Sequence, residues 1–298
     1  MKTVRLIAAK EFSDRFRSGW VIACAVVWLG AIALTSLFGL VQIGRIGMQG
    51  YERTVVSLLN LVQYLVPLLA LLLGHDLIVS EREERTLALI VGGGVSRLRV
   101  LLGKFWGGVL TLALPLTLGF TIAGTAIGLA ARDRAFGSFL TLALSGLVLG
   151  IVFLGVGLLI SICSRTRVQA LVIALLTWCS AVFVFDLVAM GVVLNSNSAQ
   201  AAREIEAATD ATHVTSVADM HNAYEGANEP ARARAELAQR TQTVATWLLL
   251  NPVDLFRAIN LPKLAGIAIP VPAATASILL WLFASLGLGA WKFHRIDL

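Results

Sequence analysis

Charged side chains are scarce in this sequence. Lys, Arg, Asp and Glu make up 14% of its 298 residues, where a soluble domain carries roughly a quarter. That shortage excludes an ordinary water-facing surface over most of the chain. Histidine is thin as well, at four copies, and no His-Glu-x-x-His pair occurs, which excludes the zinc-protease pattern. Cys24, Cys163 and Cys179 are the only cysteines. They form no Cys-x-x-Cys pair, so neither a disulfide framework nor a zinc site is indicated. Buried structural thiols are expected at all three.

A nucleotide loop is missing too. Gly103-Lys104 is the nearest approach to Gly-x-x-x-x-Gly-Lys-Ser/Thr, but Leu98 replaces the first Gly and Phe105 the hydroxyl. Ser145-Gly146 has Ala143 where a nucleophile loop needs Gly. No catalytic residue is therefore expected in this chain.

What the sequence has in quantity is apolar surface. Hydrophobic residues reach 57% and the mean hydropathy is +0.82. One soluble core could not hide so much, so lipid must be the solvent for much of it. The net charge of +6, from 24 Lys plus Arg against 18 Asp plus Glu, gathers at the ends of the apolar runs. That pattern is the positive-inside rule, and no basic, aromatic-laced soluble face argues for nucleic acid.

Six runs are long enough to span, near 20–41, 55–79, 105–130, 137–163, 168–194 and 272–291. Each has about 20 residues or more, which a helix needs to cross the hydrocarbon. The first is longer than a signal-peptide core and reads as a retained span. Lys2, Arg5, Lys10, Arg15 and Arg17 precede it, and Arg82, Arg85, Arg97, Arg99 and Lys104 lie between spans two and three. The two short opposite loops hold only Arg45 and Arg53, and Arg132 and Arg134; the long fifth connection mixes basic and acidic residues, and a loop of that length votes weakly. Both termini are thus expected in the cytoplasm.

The expected layout is an all-α integral membrane protein. Residues 1–19 form an interfacial helix, with Val4, Ala8, Phe12 and Phe16 on one ridge. Residues 20–194 hold spans one to five, with a distinct segment at 80–104. Residues 195–271 form an outer loop: a helical insert at 196–245, then a hairpin broken by Pro252, Pro262 and Pro270. Residues 272–298 hold the sixth span and a cytoplasmic tail.

Polar residues inside spans are functional suspects. Asn60, Gln63 and Tyr64 lie in the outer half of span two and either line a translocation path or bond to neighbouring helices. His75 and Asp76 sit near its cytoplasmic end. Asp186 lies near the outer end of span five, where an interface or packing role is expected. His213, Met220 and His221 form a weak copper-type set on the outer insert; no metal site is otherwise indicated.

Span two is followed by Ser80-Glu81-Arg82-Glu83-Glu84-Arg85-Thr86-Leu87, a short apolar run, then Gly92-Gly93-Gly94-Val95-Ser96-Arg97. A mixed-charge cluster joined to a short apolar helix suits docking, because apolar side chains fill a partner's groove while flanking ions fix the register.

This segment resembles the coupling region of ABC exporter permeases of the type-two class. Their usual pattern is Gly-Glu-Arg-Glu-x-Gly-Thr-Leu, an apolar run, Pro-Val-Ser-Arg, and Gly-Lys-Phe opening the third span. Glu81, Arg82, Glu83, Thr86, Leu87, Val95, Ser96, Arg97, Gly103, Lys104 and Phe105 match, as do Ala9, Lys10 and Glu11 before span one. Ser80, Arg85 and Gly94 replace the pattern's two Gly and its Pro. Leu73-Gly74-His75-Asp76 and the run Asn251-Pro252-Val253-Asp254-Leu255-Phe256-Arg257 are similar to the permease of the transporter that helps mature nitrous oxide reductase.

The resemblance implies a homodimer of permease chains in a bacterial inner membrane, with ABC ATPase subunits docked below. ATP and Mg would be used by those subunits, and this chain would bind no cofactor. ATPase coupling falls to Glu81, Arg82, Glu83, Arg85, Thr86, Leu87, Val95, Ser96 and Arg97. Asn251, Asp254 and Arg257 would meet an extracytoplasmic accessory protein, and the cargo would be a sulfur or copper-related species. A stand-alone secondary transporter and a membrane anchor for an outer partner are the alternatives; the first should show internal repeats and midplane charges.

Overall fold

The computed structural model describes residues 2–46, 48–86, 94–130, 136–184, 187, 251–260 and 271–295. Among the described residues every regular element is helical: α1 (Lys2–Phe16), α2 (Gly19–Ile46), α3 (Met48–Gly74), α4 (Val79–Glu83), α5 (Arg97–Ala130), α6 (Phe136–Cys163), α7 (Arg167–Cys179), α8 (Pro252–Asn260) and α9 (Val271–His294). A π-helical turn, Ser180–Val184, continues α7. The segments around α2, α3, α5, α6, α7 and α9 are long and apolar enough to cross a bilayer. The expected insert at 196–245, with His213, Met220 and His221, lies outside the described residues, as do Leu87, Asp186 and residues 261–270.

The central helix is α6, which packs against α3, α5, α8 and α9. Its spanning window is 67% buried, against 22% for α2 and 17% for α7 and α9. Those three present apolar faces outward, as lipid solvent permits. Small residues let α6 sit so close to its neighbours. A Cβ on Gly157 would lie 2.9 Å from the Gly74 Cα, so α3 and α6 touch backbone to backbone there.

Span starts and one helix face differ from expectation. The third span begins at Arg97 rather than near 105, because Arg, Leu and Lys all favour helix and Arg97 is held by the last carbonyls of α9. The face of α1 that meets α5 is Val4, Ile7, Ala8 and Glu11, not the ridge Val4, Ala8, Phe12 and Phe16. Gly103 and Gly107 of α5 decide this: Ile7 and the Val4 carbonyl sit over the first, Glu11 and the Ala8 carbonyl over the second. Phe12 is partly buried and stacks on the more exposed Phe16, 5.5 Å between ring centres. The buried-thiol expectation also fails. Cys163 and Cys179 are exposed and Cys24 is half-buried, since a thiol facing lipid needs no protein cover.

One end of the bundle collects the charge. Arg15 donates to the Leu73 carbonyl, Lys104 pairs with Glu11, Arg167 with Glu84, and Arg97 with the last carbonyls of α9. The starts of α2, α5 and α7 thus meet the ends of α3, α6 and α9, and the start of α1 and the end of α9 lie at this charged end.

Candidate functional site

Lys104 is the centre of the charged end. It lies one residue after Gly103 on α5, where α1 presses close, and it is only 2% exposed. A lone buried ammonium would cost several kcal/mol, but two carboxylates meet it. Glu11 of α1 lies 2.9 Å from its Nζ and Glu81 of α4 lies 2.8 Å away. Arg15 Nε holds the other Glu11 oxygen at 2.5 Å. The junction therefore contains two anions and two cations, drawn from three elements. Burial alone would raise the Glu11 carboxyl, but Lys104 and Arg15 outweigh it and hold its pKa below the ordinary carboxylate value.

Helix α4 is one and a half turns long and could not stand alone. Ser161, fully buried on α6, accepts from the Ile78 and Val79 amides, each at 2.9 Å. It thus supplies from another helix the acceptor that a cap would supply locally. Arg82 donates to the Ser164 carbonyl at 3.2 Å. At the start of α7, Arg167 gathers three acids: Asp76 at 3.7 Å, Glu83 at 3.2 Å, and Glu84 in closer contact. Its own amide donates to Glu83 Oε1 at 2.8 Å. The segment after span two is therefore tied to α1 and α5 through Lys104, to α6 through Ser161, and to α7 through Arg167.

Other expected coupling residues fall around this frame. The Thr86 hydroxyl donates to the Glu81 carbonyl at 3.3 Å. Val95 packs against the core, and the Ser96 carbonyl starts the α5 ladder by accepting from Arg99 and Val100. Arg97 donates to the Phe293 and His294 carbonyls, at 3.1 and 2.7 Å, a favourable place for a cation. The His75 Nδ1 donates to the Leu72 carbonyl at 2.6 Å. Glu83, Glu84 and Arg85 are exposed.

Arg85 sits at φ +58° and Gly94 at φ +80°. An arginine therefore occupies left-handed backbone where the resembled pattern has Gly. Such backbone costs an L-residue roughly 1–2 kcal/mol, while Gly loses roughly 0.5–1 kcal/mol more entropy on folding. Arg85→Gly is expected to leave the fold unchanged and to stabilise it by about 1 kcal/mol or less, read as a small rise in melting temperature. A fall would mean that the arginine side chain makes a contact worth more than the strain.

A second polar cluster lies at the far end. Asn251 caps α8: its Oδ1 accepts from the Val253 amide at 3.1 Å, with Pro252 at the first helical position. Asn251 Nδ2 reaches the Ala181 carbonyl at 2.7 Å and Asp254 at 2.9 Å. Arg257 pairs with Asp254 at 3.1 Å and donates to Gln63 Oε1 at 2.6 Å. Gln63 in turn donates to Asn60 at 3.0 Å. Asn251, Asp254 and Gln63 are buried and Asn60 is exposed. Tyr64 contributes its carbonyl, which accepts from Trp178 Nε1 at 2.9 Å. The structure thus brings the two expected far-end sets, on span two and after the outer loop, into one network.

Several members were missed in the sequence. Asn260, which donates to Ser145 Oγ at 2.9 Å, had no signal. Glu11 and Lys104 were visible only as motif positions, and nothing local to Arg167 or Ser161 singled them out. Among the described residues no group of His, Cys, Asp and Glu is placed to hold a metal ion.

Comparisons with known proteins place the chain in a family. Residues 5–298 match the family described as ABC-2 family transporter protein. The chain is 32% identical to the "Probable ABC transporter permease protein NosY" of Stutzerimonas stutzeri, over 99% of both chains. It is 30% identical to the protein of the same description from Pseudomonas aeruginosa, again over 99% of both.

Proposed function

The chain belongs to the ABC-2 family of transporter proteins, and from that premise we propose that it is the permease subunit through which a separate ATPase drives transport. It is a multi-pass protein of the bacterial inner membrane, with six helices able to cross it. The reading places the charged end in the cytoplasm, following the basic residues there. One observation carries it further: α4 and the two residues after it expose Glu83, Glu84 and Arg85 while being rooted in α5, α6 and α7 through Lys104, Ser161 and Arg167. A push on the exposed side is thereby delivered to three spanning segments and to α1.

Glu81, Arg82 and Thr86 hold the coupling segment together, and Glu83, Arg85, Val95, Ser96 and Arg97 surround the docking face; Leu87 joins them by its place in the motif alone. Two permease chains and two ATPase subunits form the working assembly, with ATP and Mg used only by the ATPases. Asn60 marks the exposed edge of a path at the far end, with Gln63 and Tyr64 behind it. The resemblance at Leu73–Asp76 and Asn251–Arg257 adds the cargo, a sulfur or copper-related species used in maturing nitrous oxide reductase. Asn251 and Asp254 are buried, so an accessory protein would meet the surface they hold in place and not those two side chains themselves.

Charge reversal separates docking from transmission. Arg85→Glu changes an exposed side chain and is expected to reduce the ATPase that co-purifies, with the permease still inserted. Arg167→Ala leaves the exposed face in place but frees α7, and is expected to keep the ATPase bound while lowering turnover of the complex by about tenfold, the effect of about 1.4 kcal/mol. Normal co-purification and normal turnover in both would sink the coupling reading. If both behave as expected but nitrous oxide reductase matures normally in cells lacking the chain, the cargo reading alone fails.

A further inference from the structure

Helices α1 and α5 leave an open groove between them, of about 300 Å³, lined by Phe12, Leu110, Ala113, Leu114 and Thr117. It faces away from the bundle, with Leu110 50% and Leu114 36% exposed. The one polar group in the lining is satisfied, since the Thr117 hydroxyl donates to the Ala113 carbonyl at 2.8 Å. The groove thus offers nothing to a polar ligand and suits an apolar chain.

The charge lies at one end of it. Lys2, Arg5, Ala9, Phe12 and Phe16 recur every three or four residues and share one flank of α1. Lys2, Arg5 and Ala9 are exposed on that flank, and Phe12 stacks on Phe16. The two helices run the same way: Val4 and Ile7 lie at Gly103, Ala8 and Glu11 at Gly107, and Phe12 beside Leu110. The cationic start of α1 therefore lies toward the water at the charged end, and the groove descends from there. From Leu110 to Thr117 it covers about 10 Å of a leaflet roughly 15 Å deep. Trp106, 53% exposed, sits one turn above Leu110, at the level where indole rings favour headgroups. Lys10 and Arg17 are exposed nearby, and Asp14 is the one exposed acid on α1.

Cations above a dry groove match the layout of a phospholipid with an anionic headgroup, whose charge basic segments attract. We propose that this groove binds one anionic phospholipid of the leaflet at the charged end. The lipid lies against the outer side of α1, opposite the Lys104 junction, and secures α1 on α5.

The test is native mass spectrometry of the full-length protein in mild detergent, titrated with phosphatidylglycerol or phosphatidylcholine. Wild type is expected to retain one phosphatidylglycerol per chain, with a several-fold preference over phosphatidylcholine. Lys2→Glu with Arg5→Glu is expected to abolish the preference. Ala113→Trp, which fills the groove, is expected to remove the retained lipid whatever its headgroup. Thr117→Phe fills the lower end from an exposed position, so it serves if Ala113→Trp lowers the melting temperature. Equal retention of the two lipids by wild type overturns the proposal, and so does undiminished retention in both filled variants. A disulfide between chains carrying Ala113→Cys in native membranes also overturns it, because the groove is then a protein interface. Lipid retention is read without an ATPase, so this result stands apart from the coupling experiment.

Discussion

Lys104→Met is expected to destabilise the protein by about 3–5 kcal/mol, the cost of removing one partner from a buried ion pair. The side chain is 2% exposed and touches Glu11 and Glu81 at once, so its loss leaves two partly buried carboxylates facing each other's elements. The measurement is thermal unfolding in detergent of the variant beside wild type. Adding Glu11→Gln and Glu81→Gln to Lys104→Met is expected to recover much of the loss, because a neutral set of similar volume often matches a buried charged one. Arg15 keeps the Leu73 carbonyl in that triple variant. If Lys104→Met melts like wild type, the junction does not hold α1 and α4 in place. The pH dependence has a fixed sign. The folded-state pKa of Glu11 is depressed, so its contribution is present above the ordinary carboxylate value. It is lost as pH falls through the lower, folded value. In Lys104→Met burial faces a weaker opponent, and acid sensitivity moves toward neutral pH.

Gly157→Val is expected to be the other severe change. Even a single Cβ on Gly157 would lie 2.9 Å from the Gly74 Cα and 3.2 Å from the Leu71 carbonyl oxygen. Both obstacles are backbone, which cannot swing aside as a side chain can. The helices α3 and α6 must separate, and α6 is the most buried span. Overpacking a core costs about 1–3 kcal/mol and sometimes more; here the upper end or beyond is expected. The check is the yield and melting temperature of the purified variant. Gly287→Ala on α9 is the control, since a Cβ there meets nothing within 4 Å. It is expected to be neutral, or slightly stabilising through helix propensity. A Gly157→Val protein as stable as the control would mean that the crossing has slack.

The spans were legible because lipid imposes one requirement, a long apolar run, that composition meets openly. The segment after span two was legible because its charges and Thr86 stand in a tight local pattern. Its anchoring was not. Glu11 and Lys104 lie 93 residues apart, and Gln63 and Arg257 lie 194 apart, so no local periodicity joins them. The docked face of α1 was misread for a related reason. Its own ridge is ambiguous, and the choice is made by two glycines on α5 that leave room for Ile7 and Glu11. The expectation for the cysteines assumed that apolar means buried, which lipid makes false. Pro252 was legible only as a break in the outer hairpin, whereas it stands at the first position of α8, behind the Asn251 cap.

The π turn at Ser180–Val184 has a consequence for how such a chain can change over generations. A π turn holds one residue more than the α turn it replaces, and its widened backbone presents carbonyls to donors from outside. The Ala181 carbonyl takes the Asn251 amide, which also caps α8 and holds Asp254. A one-residue deletion in that turn would rotate everything after it by about 100° and strand Asn251 in a buried place. A deletion in the turn therefore calls for a second change at Asn251 before it can be tolerated.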